Sequence, residues 1–197
     1  MLKKTTFQRA HGKIKVKINN NEINRFYQSG SAKVFYPKSS QKFKELVLVN
    51  TAGGITSGDN FSYDFEIVNK SKIFLTTQTA ERAYKGFNEK AKIKISLTVD
   101  ETSNLFWIPQ ELILFNNCNF DRNIEVNLNP NSNFLLAETT IFGRTAMGEY
   151  LEKGYFNDNW RINVNKNLIH AEALNLNGDI RETLSNIASA KDGVAIS

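Results

Sequence analysis

Lys13-Ile14-Lys15-Val16-Lys17-Ile18 and Lys90-Ala91-Lys92-Ile93-Lys94-Ile95 share one pattern, lysine alternating with apolar residues that are mostly β-branched. Successive side chains of a strand point to opposite faces. Each stretch therefore reads as a half-buried strand with one apolar and one lysine face. The lysines fit a solvated face or an edge guarded against stray pairing. No aromatic residues interleave with them as a base-stacking platform requires, so no nucleic-acid partner is expected.

Working outward, apolar segments recur about every ten residues, with Asn, Gly, Asp and Ser between them. Strands are expected near residues 13–18, 32–36, 45–50, 61–68, 72–77, 91–99, 104–108, 112–116, 122–128, 133–138, 159–164 and 168–174. Asn clusters such as Asn19-Asn20-Asn21 and Asn129-Pro130-Asn131 punctuate them, because Asn tolerates left-handed backbone. Helical signal is scarce. Residues 79–84 suit one or two turns, and 181–190 suit a short helix after Asn177-Gly178-Asp179. Gly143 and Gly148 argue against one smooth helix over 139–151. No linker divides the chain, so residues 1–197 are expected to form a single, mainly β domain with few short helices.

The chain has 197 residues, 41% of them hydrophobic, and 25 Lys+Arg against 20 Asp+Glu give a net charge of +5. That is a globular composition with enough length for a core. No apolar run is long enough for a spanning helix, so no membrane is expected. MLKKTTFQRAHGK lacks the apolar stretch of a secretory signal, so a cytoplasmic location is expected. One cysteine, Cys118, and two histidines, His11 and His170, exclude an internal disulfide framework and a Cys/His zinc site. Phosphate-binding glycine loops are absent. Carboxylate chemistry stays open.

Four stretches break the strand pattern. In Asn50–Asp59 the glycines Gly53, Gly54 and Gly58 demand special backbone angles or close approach. Asp59 there is either a turn cap or a functional carboxylate. In Leu75–Lys85 an apolar strand runs into a polar corner with Gln78, Glu81, Arg82 and Tyr84. Glu81 and Lys85 would pair weakly on a helix. In Leu105–Phe115, Pro109 forces a bend or an edge, with Gln110 and Glu111 at that bend. A carboxylate there lies at a rim or has a buried partner. In Ala137–Glu149, Arg144 is placed to pair with Glu138 or Glu149.

AGGITSGD, TTQTAERAY, WIPQELILF and AETTIFGRTAMGE, with QSGSAKVFYP before them, resemble the urease accessory protein D family, called H in some organisms. They stand in the family's order and spacing, over roughly residues 9–175. The resemblance implies an irregular β-helix-like stack of antiparallel and mixed sheets. It implies a non-enzymatic urease maturation factor, with chaperone and nickel-insertion roles. The implied partners are apo-urease, accessory protein F and, through F, the GTPase accessory protein G. It also implies an internal tunnel carrying nickel. No tightly bound cofactor and no stable metal site are expected, only transient Ni²⁺. Oxygen donors hold Ni²⁺ less tightly than imidazole or thiolate, so a chain poor in His and Cys suits transit. Asp59, Glu81, Glu111, Glu138 and Glu149 are the candidates to line that passage. Gly53, Gly54, Gly58, Gln78, Tyr84, Pro109, Gln110, Gly143, Arg144 and Gly148 are the further motif positions.

Family members usually continue for several dozen residues beyond position 197, so a short form or a truncation with an open sheet edge is expected. Phe61-Ser62-Tyr63-Asp64-Phe65 suits either the core or an apolar surface covered by F. Two other functions are compatible with the residues. One is a generic β-solenoid binding module with lysine faces for an acidic partner. The other is a carboxylate-dependent hydrolase using a pair such as Glu111 and Glu138.

Overall fold

The lysine parity at 13–18 and 90–95 is the parity of one stacked sheet. The computed structural model describes residues 8–197, so the stretch MLKKTTF lies outside the described residues. The strands are β1 (His11–Asn19), β2 (Glu22–Gly30), β3 (Ala32–Phe35), β4 (Lys44–Asn50), β5 (Asn60–Val68) and β6 (Lys72–Thr77). They continue with β7 (Glu81–Ala83), β8 (Ala91–Val99), β9 (Asn104–Trp107), β10 (Leu112–Leu114), β11 (Asn119–Leu128), β12 (Asn133–Leu136) and β13 (Thr140–Phe142). The last are β14 (Lys153–Val164), β15 (Asn167–Asp179) and β16 (Ala195–Ile196), with the short helix α1 (Ile180–Ser185) between these two.

Long, medium and short strands repeat in that order as β5-β6-β7, β8-β9-β10 and β11-β12-β13. Equivalent strands of successive coils pair in parallel and build three sheets. The long strands form a seven-stranded sheet, β15-β14-β11-β8-β5-β1-β2. The medium strands form β12-β9-β6-β4-β3 and the short ones β16-β13-β10-β7. The result is a β-solenoid, mainly β as the strand pattern indicates. Antiparallel hairpins β1–β2 and β14–β15 end the long sheet on both sides.

Parallel register places each inward side chain beside its equivalent on the next coil. One column runs Val16, Phe65, Leu97, Val126, Ile162 and another Ile14, Tyr63, Ile95, Ile124, Trp160. Phe61, Tyr63 and Phe65 all face inward and are buried, so this stretch belongs to the core. Lys13, Lys15, Lys92 and Lys94 are exposed on the opposite face.

Asn supplies the turns. Asn20 and Asn21 (φ 50° and 59°) join β1 to β2, and Asn165 (φ 50°) opens the turn from β14 to β15. Positive φ at both central residues gives the turn whose twist matches a hairpin. Strand β2 escapes the apolar-parity rule because nearly all of it is exposed; pairing with β1 makes it a strand. Residues 79–84, expected to be helical, instead contain β7. Backbone bonds to the next coil decide this: Glu81 N–H donates to the Glu111 carbonyl at 2.9 Å. The helical Glu81–Lys85 pair therefore does not form. Strand β13 occupies 140–142, and the rest of the 139–151 stretch holds a 3-10 turn, Thr145–Met147, closed by left-handed Gly148. The short helix expected at 181–190 is α1, capped by Asp179 accepting from Glu182 N–H.

Emptying a column is costly because the coils above and below cannot collapse into the gap. Phe65→Ala should lose about 3–5 kcal/mol. Lys15→Ala, on the outer face of the same sheet, should change stability by less than about 0.5 kcal/mol. Denaturant unfolding of both variants checks this.

Candidate functional site

The four pattern-breaking stretches meet in space. Three of them form the same corner of successive coils, between the medium and short strands. Backbone bonds tie corner to corner: Ile108 N–H to Leu75 O, Ala137 N–H to Trp107 O and Leu112 N–H to Thr139 O, at 2.9–3.1 Å. The glycine-rich stretch completes the row. Ile55 bridges Ala83 in parallel, so it stands where the short strand of an earlier coil would be. Gly54 (φ 145°) lies where a Cβ would come within 2.4 Å of the Tyr84 ring and 2.8 Å of the Arg82 carbonyl oxygen, which holds the position to glycine.

Inside this row lie three cavities that share walls. The first, about 50 Å³, is lined by Asn50, Gly53, Gly54, Tyr63, Gln78 and Glu81 among others. The second, about 40 Å³, is lined by Tyr63, Glu81, Trp107, Pro109, Gln110, Arg122 and Glu138 and by the apolar side chains of Leu48, Ile93, Ile95, Leu112 and Phe120, among others. The third, about 140 Å³, opens at the last coil beside Arg122, Glu138, Thr140, Asp158, His170 and Glu172. Glu81 and Tyr63 belong to the first and second walls, and Arg122 and Glu138 to the second and third. Tyr63 Oη, Trp107 Nε1 and Glu138 Oε2 are buried without a protein hydrogen bond. All three residues line the 40 Å³ space, whose wall is otherwise mostly apolar but which is large enough for water.

The column Gly12, Phe61, Ile93 continues inward into Arg122 and Asp158. Arg122 Nε and Nη2 donate to the two Asp158 oxygens at 2.8 and 2.6 Å. Arg122 Nη1 donates to Glu138 Oε1. Trp160 Nε1 donates to Asp158 Oδ2 at 3.1 Å. Burial pulls the guanidinium toward neutrality, but the two carboxylates outweigh it and Arg122 stays cationic. Burial raises the Glu138 carboxyl, opposed by Arg122. Burial also raises Glu81 from the ordinary 4.5 to about 6, against bonds from Asn50 and the Arg82 N–H.

Of the five candidate carboxylates, Glu81 and Glu138 stand in the cavity walls; Asp59, Glu111 and Glu149 are not among the lining residues of the three cavities. Asp59 is buried as a turn cap, accepting from Ala10 N–H at 2.7 Å and Thr56 N–H at 2.8 Å. Glu111 contributes its backbone carbonyl to the ladder. Glu149 pairs with Arg144, whose guanidinium lies 4.3 Å from the Phe115 ring centre. Glu138 instead pairs with Arg122. Gly143 (φ 80°) lies where a Cβ would be 2.6 Å from the Glu149 carbonyl oxygen. Tyr84 meets Phe115 edge-on at 4.8 Å, and Gly58 (φ 79°) turns the chain before Asp59.

Arg122, Asp158, Tyr63 and Trp107 are site residues that motif reasoning passes over. The signal for Arg122 and Asp158 is present: each is a charge at the apolar parity of its strand, Phe120-x-Arg122-x-Ile124 and Phe156-x-Asp158-x-Trp160. Cys118 is buried, and burial pushes its thiol up to about 12. Among the described residues no three His, Cys, Asp or Glu side chains converge as a metal cage. No helix is long and apolar enough to cross a membrane among the described residues.

Fold and site define a β-solenoid with a row of small cavities along one internal corner, into which Glu81, Arg122 and Glu138 face. The chain belongs to the urease accessory protein D family: the model of the family described as "UreD urease accessory protein" matches residues 8–195. It is 41% identical over 172 residues to the urease accessory protein UreD of Rhodopseudomonas palustris strain BisB5, covering 87% of this chain and 61% of that protein. It is 38% identical over 174 residues to the urease accessory protein UreD of Mesorhizobium japonicum, covering 88% of this chain and 62% of that one. The match to the urease accessory protein UreD of Bradyrhizobium diazoefficiens is 39% over 170 residues, covering 86% and 62%. The chain thus spans about three fifths of the length of these relatives.

Glu81, at the wall shared by the first two cavities, has a measurable pH signature. Its folded value of about 6 exceeds the ordinary 4.5, so the folded state binds the proton first. The stability it contributes is fully present below about pH 4.5 and is lost as pH rises through about 6. Glu81→Gln should therefore stabilise the protein at about pH 7.5 by up to about 2 kcal/mol, with the gain vanishing below about pH 4.5. Denaturant unfolding across that range checks the sign.

Proposed function

We propose that the chain acts in urease maturation as a non-catalytic, cytoplasmic scaffold that passes Ni²⁺ along its internal corridor to apo-urease. On this reading accessory protein F binds the chain, and the GTPase accessory protein G comes through F. The observation that carries it is the row of three wall-sharing cavities with Glu81 at one junction and Glu138 at the other. Carboxylates, hydroxyls and amides hold Ni²⁺ less tightly than imidazole and thiolate clusters, which would retain it. Family membership supports the urease context.

Glu81→Gln and Glu138→Gln keep size and much of the hydrogen bonding while removing charge from the corridor. Each should lower urease activation at least several-fold, with the complex with accessory protein F and apo-urease intact. Reconstituted activation with limiting nickel, paired with co-purification, reads both quantities. Full activation by both folded variants would sink the corridor. Glu111→Gln, outside the three walls, is the control and should activate normally.

A further inference from the structure

A corridor for a cation has a fixed cation built into its wall. Arg122 stands between the second and third cavities, and its side chain keeps only 7% of its exposure. Its bonding is asymmetric. Asp158 receives two bonds from Arg122 and a third from Trp160. Glu138 receives one bond, at Oε1, while Oε2 has no hydrogen bond although its side chain is 9% exposed. The guanidinium is thus anchored on Asp158 and tethered at Glu138.

Resting on the corridor reading, we infer that Arg122 is an exchangeable gate, a tethered counter-cation that yields Glu138 to an arriving divalent cation and reclaims it as the cation moves on. The bidentate bond to Asp158 holds the guanidinium in place while Nη1 releases Glu138 Oε1. The carboxylate then presents both oxygens to the visitor. Two cations side by side in a poorly screened interior repel strongly, so the site holds the visitor weakly. The gate therefore keeps a buried carboxylate from becoming a trap. Arg122 acts through Glu138 and is a positioning residue.

Removing Arg122 alone would strand Asp158, so the test uses Arg122→Gln combined with Asp158→Asn, which removes one charge of each sign. Trp160 Nε1 can still donate to the Asn carbonyl oxygen. The full chain is dialysed to equilibrium against nickel chloride, with near-ultraviolet dichroism and thermal unfolding as folding controls. The double variant should bind Ni²⁺ about ten-fold more tightly than the wild type. The gain should disappear when Glu138→Gln is added. Unchanged affinity in a folded double variant overturns the gate, as does a gain that survives Glu138→Gln. Activation assays separate this from the corridor itself. If Glu81→Gln and Glu138→Gln impair activation while the double variant binds as the wild type does, the corridor stands and the gate falls. If both single variants activate fully, the corridor falls whatever the dialysis shows.

Discussion

Parallel stacking in register is the constraint on which this molecule rests. Each coil must offer its neighbour the same hydrogen-bonding edge, so a position facing inward in one coil faces inward in the next. Columns of like residues follow, such as Ile18, Ile67 and Val99. A column that changes character breaks the pattern where it does so. The Phe61–Ile93 column turns into Arg122 and Asp158 without changing register. Stacking therefore fixes where the charges lie, and the charges are held by partners that the same stacking supplies.

Much of the fold was legible because the interior is read with period two. The lysine faces, most of the long and medium strands and the Asn turns were all visible in the chain. Of the short strands stacked in the coils, β10 was visible as the apolar run at 112–116, but β7 and β13 were not. Residues 81–83 and 140–142 have too few residues for a period, and their state is set by backbone partners in other coils. Strand β2 failed differently, because pairing alone, without an apolar face, makes it a strand.

The site was legible as motifs and opaque as geometry. Glu81 and Glu138 stood out as carboxylates beside apolar runs. Their partition from Asp59, Glu111 and Glu149 depends on which side of a corner each side chain takes, and sequence carries no such label. Arg144 suited either Glu138 or Glu149 by spacing, and the structure pairs it with Glu149 because the Gly143–Gly148 turn folds those two together. Arg122 reached Glu138 from the neighbouring sheet. That contact crosses from one face of the solenoid to another, so local spacing could not reveal it.

The buried cluster is a poor device for stability. Desolvating Arg122, Glu138 and Asp158 costs several kcal/mol per ion, and well-packed apolar residues of similar volume often serve a fold as well or better. Glu138 goes further by keeping one oxygen without a hydrogen bond. An interior shaped only for packing would continue the Phe61–Ile93 column with another apolar residue. Charge at this place, beside cavities and with incomplete bonding, is what the proposed cation exchange would require. Its neighbours fit the same description: Tyr63 and Trp107 present unpaired polar atoms, and Glu81 is enclosed without a formal ion pair. The cost of these groups is spread along one corner, while the three sheets around it bury the apolar columns that keep the coils together.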